Sequence, residues 1–170
     1  MTAPPTDVLL ADGTHVPLRN LYESVPLALV FLRHYGCPFC RRQVGMLARH
    51  PELNVAFVAM GGPEETYDFA QVMQSPHRFI ADPDLRLYTQ FGLARAHLGQ
   101  LFNLTTVREG LRAVRSGYAP GRVQGDPYLL GGLFVIDRSG HITFQHRAQS
   151  PAELYSPALI RQQIALPVEA

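Results

Sequence analysis

The feature that most constrains this chain is the position of its only two cysteines, Cys37 and Cys40, between an apolar run and a stretch of helix formers. Leu27 to Arg33 (LALVFLR) has the length and continuous apolarity of a buried strand, of the kind found in parallel sheets. Pro38 suits a first helical position, where its missing N–H would have no partner anyway. The residues that follow, as far as His50, place Val44, Leu47 and Ala48 on one helical face. Leu53 to Met60 (LNVAFVAM) reads as a second buried strand. Residues 27–60 therefore predict a β-α-β unit with Cys37-Pro38-Phe39-Cys40 at its first turn.

That position gives the pair a chemistry. A thiol at a helix N-terminus faces unpaired backbone N–H groups and the positive end of the helix dipole, and both favour thiolate. Arg33, His34, Arg41 and Arg42 add potential positive charge nearby. Cys40, one turn further on, falls on the same helical face and is able to close a disulfide with Cys37. The pattern therefore predicts a nucleophilic Cys37 and a resolving Cys40. Two other readings stand beside it: a pair of ordinary buried cysteines, and half a zinc site with His34 as third ligand. Tyr35 and Phe39 flank Cys37 and are candidates to line a substrate groove.

Composition sets the frame. The chain has 170 residues, 46% hydrophobic and 17% charged, with a formal net charge of +1. This predicts one compact domain over residues 1–170, large enough to stand without staples. A near-neutral balance with no basic block argues against nucleic-acid binding. The longest apolar run, Val25 to Leu32, is far below the ~18–20 residues that span a bilayer, so no membrane role is expected. No basic residue precedes an apolar core in the first ten residues, which predicts a cytoplasmic protein.

The remaining elements follow from turn and cap signals. Val8–Leu10 and His15–Leu18 about Asp12-Gly13 predict an N-terminal β-hairpin, with a helical turn after it. Gly62-Pro63-Glu64-Glu65 opens a helix to about Gln74, and His77–Ala81 reads as a short strand. Asp82-Pro83 caps a helix that stops at Gly92, and Thr106-Val107-Arg108-Glu109 is a capping box for a helix ending at Gly117. Residues 117–131 read as a loop. Gly132–Ile136 and His141–His146 flank the turn Asp137-Arg138-Ser139-Gly140, and a last helix starts near Ser156-Pro157. The predicted architecture is α/β: one mixed central sheet flanked by helices, with an N-terminal hairpin.

The stretches Val30–Gln43 (VFLRHYGCPFCRRQ), Arg78–Asp84 through Tyr88, Phe91-Gly92-Leu93 and Gly132–Gly140 (GLFVIDRSG) together resemble the peroxiredoxin superfamily. They are most similar to its divergent alkyl hydroperoxide reductase and thiol-specific antioxidant branch with a Cys-Pro-x-Cys pair. The resemblance covers about residues 5–147. It implies a thioredoxin-like fold and a thiol peroxidase or thiol–disulfide oxidoreductase that needs no metal or organic cofactor. Its substrate would be a peroxide or a disulfide. Its reductant would be an external thiol such as thioredoxin, glutaredoxin or a low-molecular-weight thiol, and a homodimer is common in such proteins. The family's proline and threonine ahead of the nucleophile fall on Val30 and His34, and its peroxide-binding arginine falls on Gly131. Arg33 and His34 are therefore the expected catalytic replacements, with Arg122 and Arg147 as more distant candidates. Pro38, Gly131 and Gly132 join Tyr35 and Phe39 as expected substrate-binding positions, because glycine ahead of a strand often marks a close backbone approach. A thioredoxin-type protein-disulfide reductase, and a non-enzymatic redox sensor or metal-binding module, are the alternatives for the same pair.

Overall fold

The computed structural model describes residues 1–93, 95, 108, 111–112, 114–118, 126 and 128–165. Its seven strands are β1 (Asp7–Leu10), β2 (His15–Pro17), β3 (Leu27–Phe31), β4 (Val55–Ala59), β5 (Arg78–Ala81), β6 (Gly132–Ile136) and β7 (Ile142–Arg147). They form one sheet in the order β2-β1-β5-β4-β3-β6-β7. The centre is parallel, with β3 beside β4 and β4 beside β5, while β6 and β7 add antiparallel on one side and the β1–β2 hairpin on the other. The mixed sheet and N-terminal hairpin are those expected from the sequence. No helix among the described residues is long and apolar enough to cross a membrane.

The burial of β3 on both faces explains its unbroken apolarity. Ala28 and Val30 point into a core completed by helix α1 (Pro38–Leu47) through Val44 and Leu47, by α2 (Pro63–Val72) through Phe69, and by α4 (Pro157–Ala165) through Ile160. Leu27, Leu29 and Phe31 point the other way, against Leu18 and Leu21 of the turn after β2 and against Leu87 and Tyr88 of α3 (Arg86–Gln90). A side-chain period of two thus feeds two cores from one strand.

Some boundaries differ from the sequence reading. The strand from Leu27 ends at Phe31 rather than Arg33, because the Tyr88 hydroxyl donates to Leu32 O at 2.5 Å and so takes over the next carbonyl. Helix α1 stops at Leu47, short of His50, since His50 N turns to Leu47 O in a tighter bond. Asp82 caps α3 from a distance. Its carboxylate accepts from Arg86 N (3.0 Å), Leu87 N (2.8 Å) and Tyr88 N (3.3 Å), with Leu85 at φ 55° making the turn between. The capping box at Thr106, Arg122, and most of the predicted loop 117–131 lie outside the described residues.

Candidate active site

Strand β3 delivers the chain to the cysteine turn. Past Phe31 the backbone leaves the sheet, and Cys37 becomes the N-cap of α1 (φ −74°, ψ 118°) with Pro38 in the first helical turn. Cys37 N donates to His34 O at 3.0 Å, and Arg41 N donates to Cys37 O at 3.0 Å, so the first turn is closed around the thiol. Arg33 connects the pair. Its Nη1 lies 3.7 Å from Cys37 Sγ, and its backbone N–H donates to Cys40 Sγ at 3.2 Å.

The two thiols are electrostatically unequal. Hydrogen bonding from the Cys40 thiol is the largest influence on Cys37, and the Arg33 guanidinium and the N–H groups of Cys40 and Phe39 add to it. Together they outweigh burial and hold Cys37 at about 6. At pH 7 about nine-tenths of a group at that value is ionised. Cys40 is pushed well above the ordinary thiol value by its bond to Cys37, by burial and by the charge on Cys37. The pair thus divides into one thiol that ionises readily and one that holds its proton against the other's charge.

This asymmetry is measurable. Thiolate absorbance of the reduced chain is expected to be lost as pH falls through about 6. Cys40→Ala removes the largest influence on Cys37, so the midpoint should rise toward ~8.5. An unmoved midpoint would show that Arg33 and the helix terminus alone set the value.

Both thiols are secluded, Cys37 at 1% and Cys40 at 6% exposure. A cavity of about 30 Å³ opens beside Cys40, lined by Arg33, Phe39, Gln43, Gly131, Ala148 and Tyr155 among others, and Cys37 is not in its wall. Gly131 is required there, because a Cβ would lie 2.3 Å from Phe31 O.

The other sequence candidates are placed as follows. Phe39 and Gly131 lie with Cys40 at the cavity. Gly132 is the first residue of β6, where a Cβ would press on Leu93 and on His146 O. Tyr35 turns toward α2. It stacks on Phe69 at 4.7 Å between ring centres, and its hydroxyl meets Thr66 Oγ1 at 2.5 Å, Thr66 in turn donating to Gly62 O. His34 is held at about 4 by burial and by Arg33, so it is neutral at pH 7 and does not supply the positive charge that the sequence reading considered. Arg147 does not reach the cysteines. Its guanidinium donates to Phe91 O and Gly92 O and lies over the Phe134 ring at 5.2 Å. His146 of β7 is half-buried and pairs with Glu153 at 2.6 Å. Among the described residues no three His, Cys, Asp or Glu side chains are grouped to hold a metal ion.

Sequence reasoning did not find Tyr88, Gln43 or Tyr155. Tyr88 Oη spans the Leu32 and Val58 carbonyls at 2.5 and 3.0 Å, and so fixes the end of β3 from the opposite face. Gln43 binds both the N–H and the carbonyl of Tyr155. The only local signal for Gln43 was an amide one turn after Cys40 on a face that is otherwise apolar.

Comparison with known proteins places this geometry. Residues 42–150 match the family described as AhpC/TSA antioxidant enzyme. The matched stretch begins just past Cys40, so the scaffold carries the match and the cysteine pair stands outside it. The chain is similar to Peroxiredoxin-like 2C of Homo sapiens, at 27% identity over 159 residues, covering 82% of this chain and 69% of that protein. It is also similar to the Prostamide/prostaglandin F synthase of Salmo salar, at 25% identity over 159 residues, covering 86% and 77%. The solved structure of Peroxidoxin BcpB from Mycobacterium tuberculosis shares the fold, with a TM-score of 0.65 at 16% identity over 97% of this chain and 92% of that one.

Proposed function

The chain belongs to the AhpC/TSA antioxidant enzyme family and has its thioredoxin-like fold, and on that premise we propose that it is a thiol peroxidase with Cys37 as nucleophile and Cys40 as resolving cysteine. The observation that carries this reading is the place of Cys37, a thiol only 1% exposed that caps the N-terminus of α1 with the Arg33 guanidinium against its sulfur. A small oxidant suits such a site better than a folded protein disulfide does.

The cycle balances as follows. Cys37 Sγ attacks one oxygen of a peroxide, the O–O bond breaks, and the other oxygen leaves as alkoxide or hydroxide that takes a proton. Cys37 is oxidised to the sulfenic acid and the peroxide is reduced. The Arg33 guanidinium, already beside Cys37 Sγ, is the group that meets the developing charge. Cys40 then loses its proton and attacks Cys37 Sγ, forming the disulfide and releasing water. An external thiol pair, from thioredoxin, glutaredoxin or a low-molecular-weight thiol, takes the oxidising equivalents and restores both thiols. These steps use no metal or organic cofactor.

The experiment is to mix the reduced chain with substoichiometric hydrogen peroxide, quench rapidly, and follow Cys37–Cys40 disulfide formation by mass beside a matched protein-disulfide substrate. The reading expects peroxide to react much faster than it does with an ordinary thiolate. Ordinary peroxide rates with rapid exchange onto the protein disulfide would overturn it in favour of a thioredoxin-type reductase.

A further inference from the structure

The segment between β7 and α4 contains a buried hydroxyl that the proposed cycle leaves without a role. Tyr155 is 6% exposed, and its Oη has no hydrogen-bond partner among the described residues. Its backbone is held from the cysteine helix itself, since Gln43 Nε2 donates to Tyr155 O at 2.9 Å and Gln43 Oε1 accepts from Tyr155 N at 2.6 Å. Glu153 fixes the preceding turn by accepting from Gln149 N (2.6 Å) and Ser150 N (2.9 Å) while it pairs with His146. Tyr155 is therefore kept in register with Cys40, and both line the same 30 Å³ cavity. A cavity of that size has room for about one or two waters, provided polar partners line it.

We propose that Tyr155 is a positioning residue for the resolving step, its hydroxyl acting through water in this cavity as a donor toward the sulfur of Cys40 when that sulfur ionises. The proposal rests on the reading that Cys40 resolves an oxidised Cys37. Before oxidation the Cys40 proton lies against the Cys37 thiolate, which keeps Cys40 protonated. Conversion of Cys37 to a neutral sulfenic acid removes that charge, and what then opposes ionisation of Cys40 is burial. Donors must offset it. Arg33 N–H is one, at 3.2 Å. Among the described residues, the charged and titratable groups around Cys40 are Cys37 and Arg33, Tyr88 from α3, and Glu153 and Tyr155 after β7, with His146 of β7 behind Glu153. Of the two phenols, Tyr88 is occupied with the Leu32 and Val58 carbonyls. Tyr155 remains, and burial pushes it well above the ordinary phenol value, so it is protonated and able to donate across the working range.

The test uses Tyr155→Phe, which removes the hydroxyl and keeps the ring. In a Cys37→Ser background, Cys40 is titrated by thiolate absorbance with and without Tyr155→Phe. The Phe variant should raise the Cys40 midpoint by about one pH unit, as expected for a lost hydrogen bond to a charged group. In the chain with both cysteines, the Cys37 sulfenic acid, trapped with dimedone after stoichiometric peroxide, should persist about tenfold longer. Equal Cys40 midpoints in the two chains overturn the proposal, as does disulfide closure at the parent rate and pH profile. If peroxide yields no Cys37–Cys40 disulfide in the parent chain, the peroxidase reading fails. The titration then still decides whether Tyr155 acts on Cys40.

Discussion

Cys37→Ser is expected to abolish peroxide turnover, with a loss of about a thousandfold or more, because a serine hydroxyl at this position stays protonated and no second thiolate exists in the resting site. The contrast with Cys40→Ser carries the assignment. Cys37 lies against Arg33 and is held at about 6, whereas Cys40 is pushed well above the ordinary range. The Cys40→Ser chain should consume one equivalent of peroxide and stop, leaving a sulfenic acid on Cys37 or a mixed disulfide with added thiol. Peroxide-consumption traces with excess reductant, read beside the intact mass, separate the two variants. Full turnover by the Cys37→Ser chain would remove the nucleophile assignment. The opposite pattern, with Cys40→Ser inert and Cys37→Ser reacting once, would make the cysteine at the cavity the peroxide-reactive one.

Most of the scaffold was legible because it is specified locally. The β3-α1-β4 unit announces itself through two apolar runs and a proline at a helix start, and the hairpin at Asp137–Gly140 through its turn residues. Both signals act within about ten residues, the range over which turn and cap chemistry operates. The place of Cys37 at the N-cap was legible for the same reason. What surrounds the pair was not. Gln43 and Tyr155 are 112 residues apart, and Tyr88 reaches Leu32 across 56. No periodicity links such positions, because each contact depends on how two distant elements pack. The charge state of His34 was likewise beyond local reading, since it is set by burial and by the neighbouring Arg33. Arg147 shows the converse: an arginine free to serve the site on paper is taken up by the Phe91 and Gly92 carbonyls.

The second large effect is expected at Gly131, where Ala should damage the fold beside the site. The group that approaches this glycine is not a side chain that could swing aside. It is the Phe31 carbonyl oxygen, 2.3 Å from where the new Cβ would stand. Phe31 is fixed by its register with Gly132, and Gly131 O accepts from Ala148 N at 3.0 Å, so neither partner has freedom to retreat. The methyl must separate β3 from β6 at the end from which the chain continues to Arg33 and Cys37. Overpacking of this kind costs about 3 kcal/mol when the neighbour cannot yield. For a chain of this size that corresponds to a fall in Tm of roughly 6–12 °C. Gly62→Ala is the control, since a Cβ there meets nothing within 4 Å, and its loss should stay near or below ~1 kcal/mol. Thermal unfolding of the two variants decides the point, and equal Tm values would show that the β3–β6 contact yields. Because Gly131 also lines the cavity beside Cys40, the separation it forces should slow disulfide closure in whatever fraction of the variant stays folded. A Gly131→Ala chain with parent stability and parent closure rate would mean that this strand end does not set the position of the cysteines.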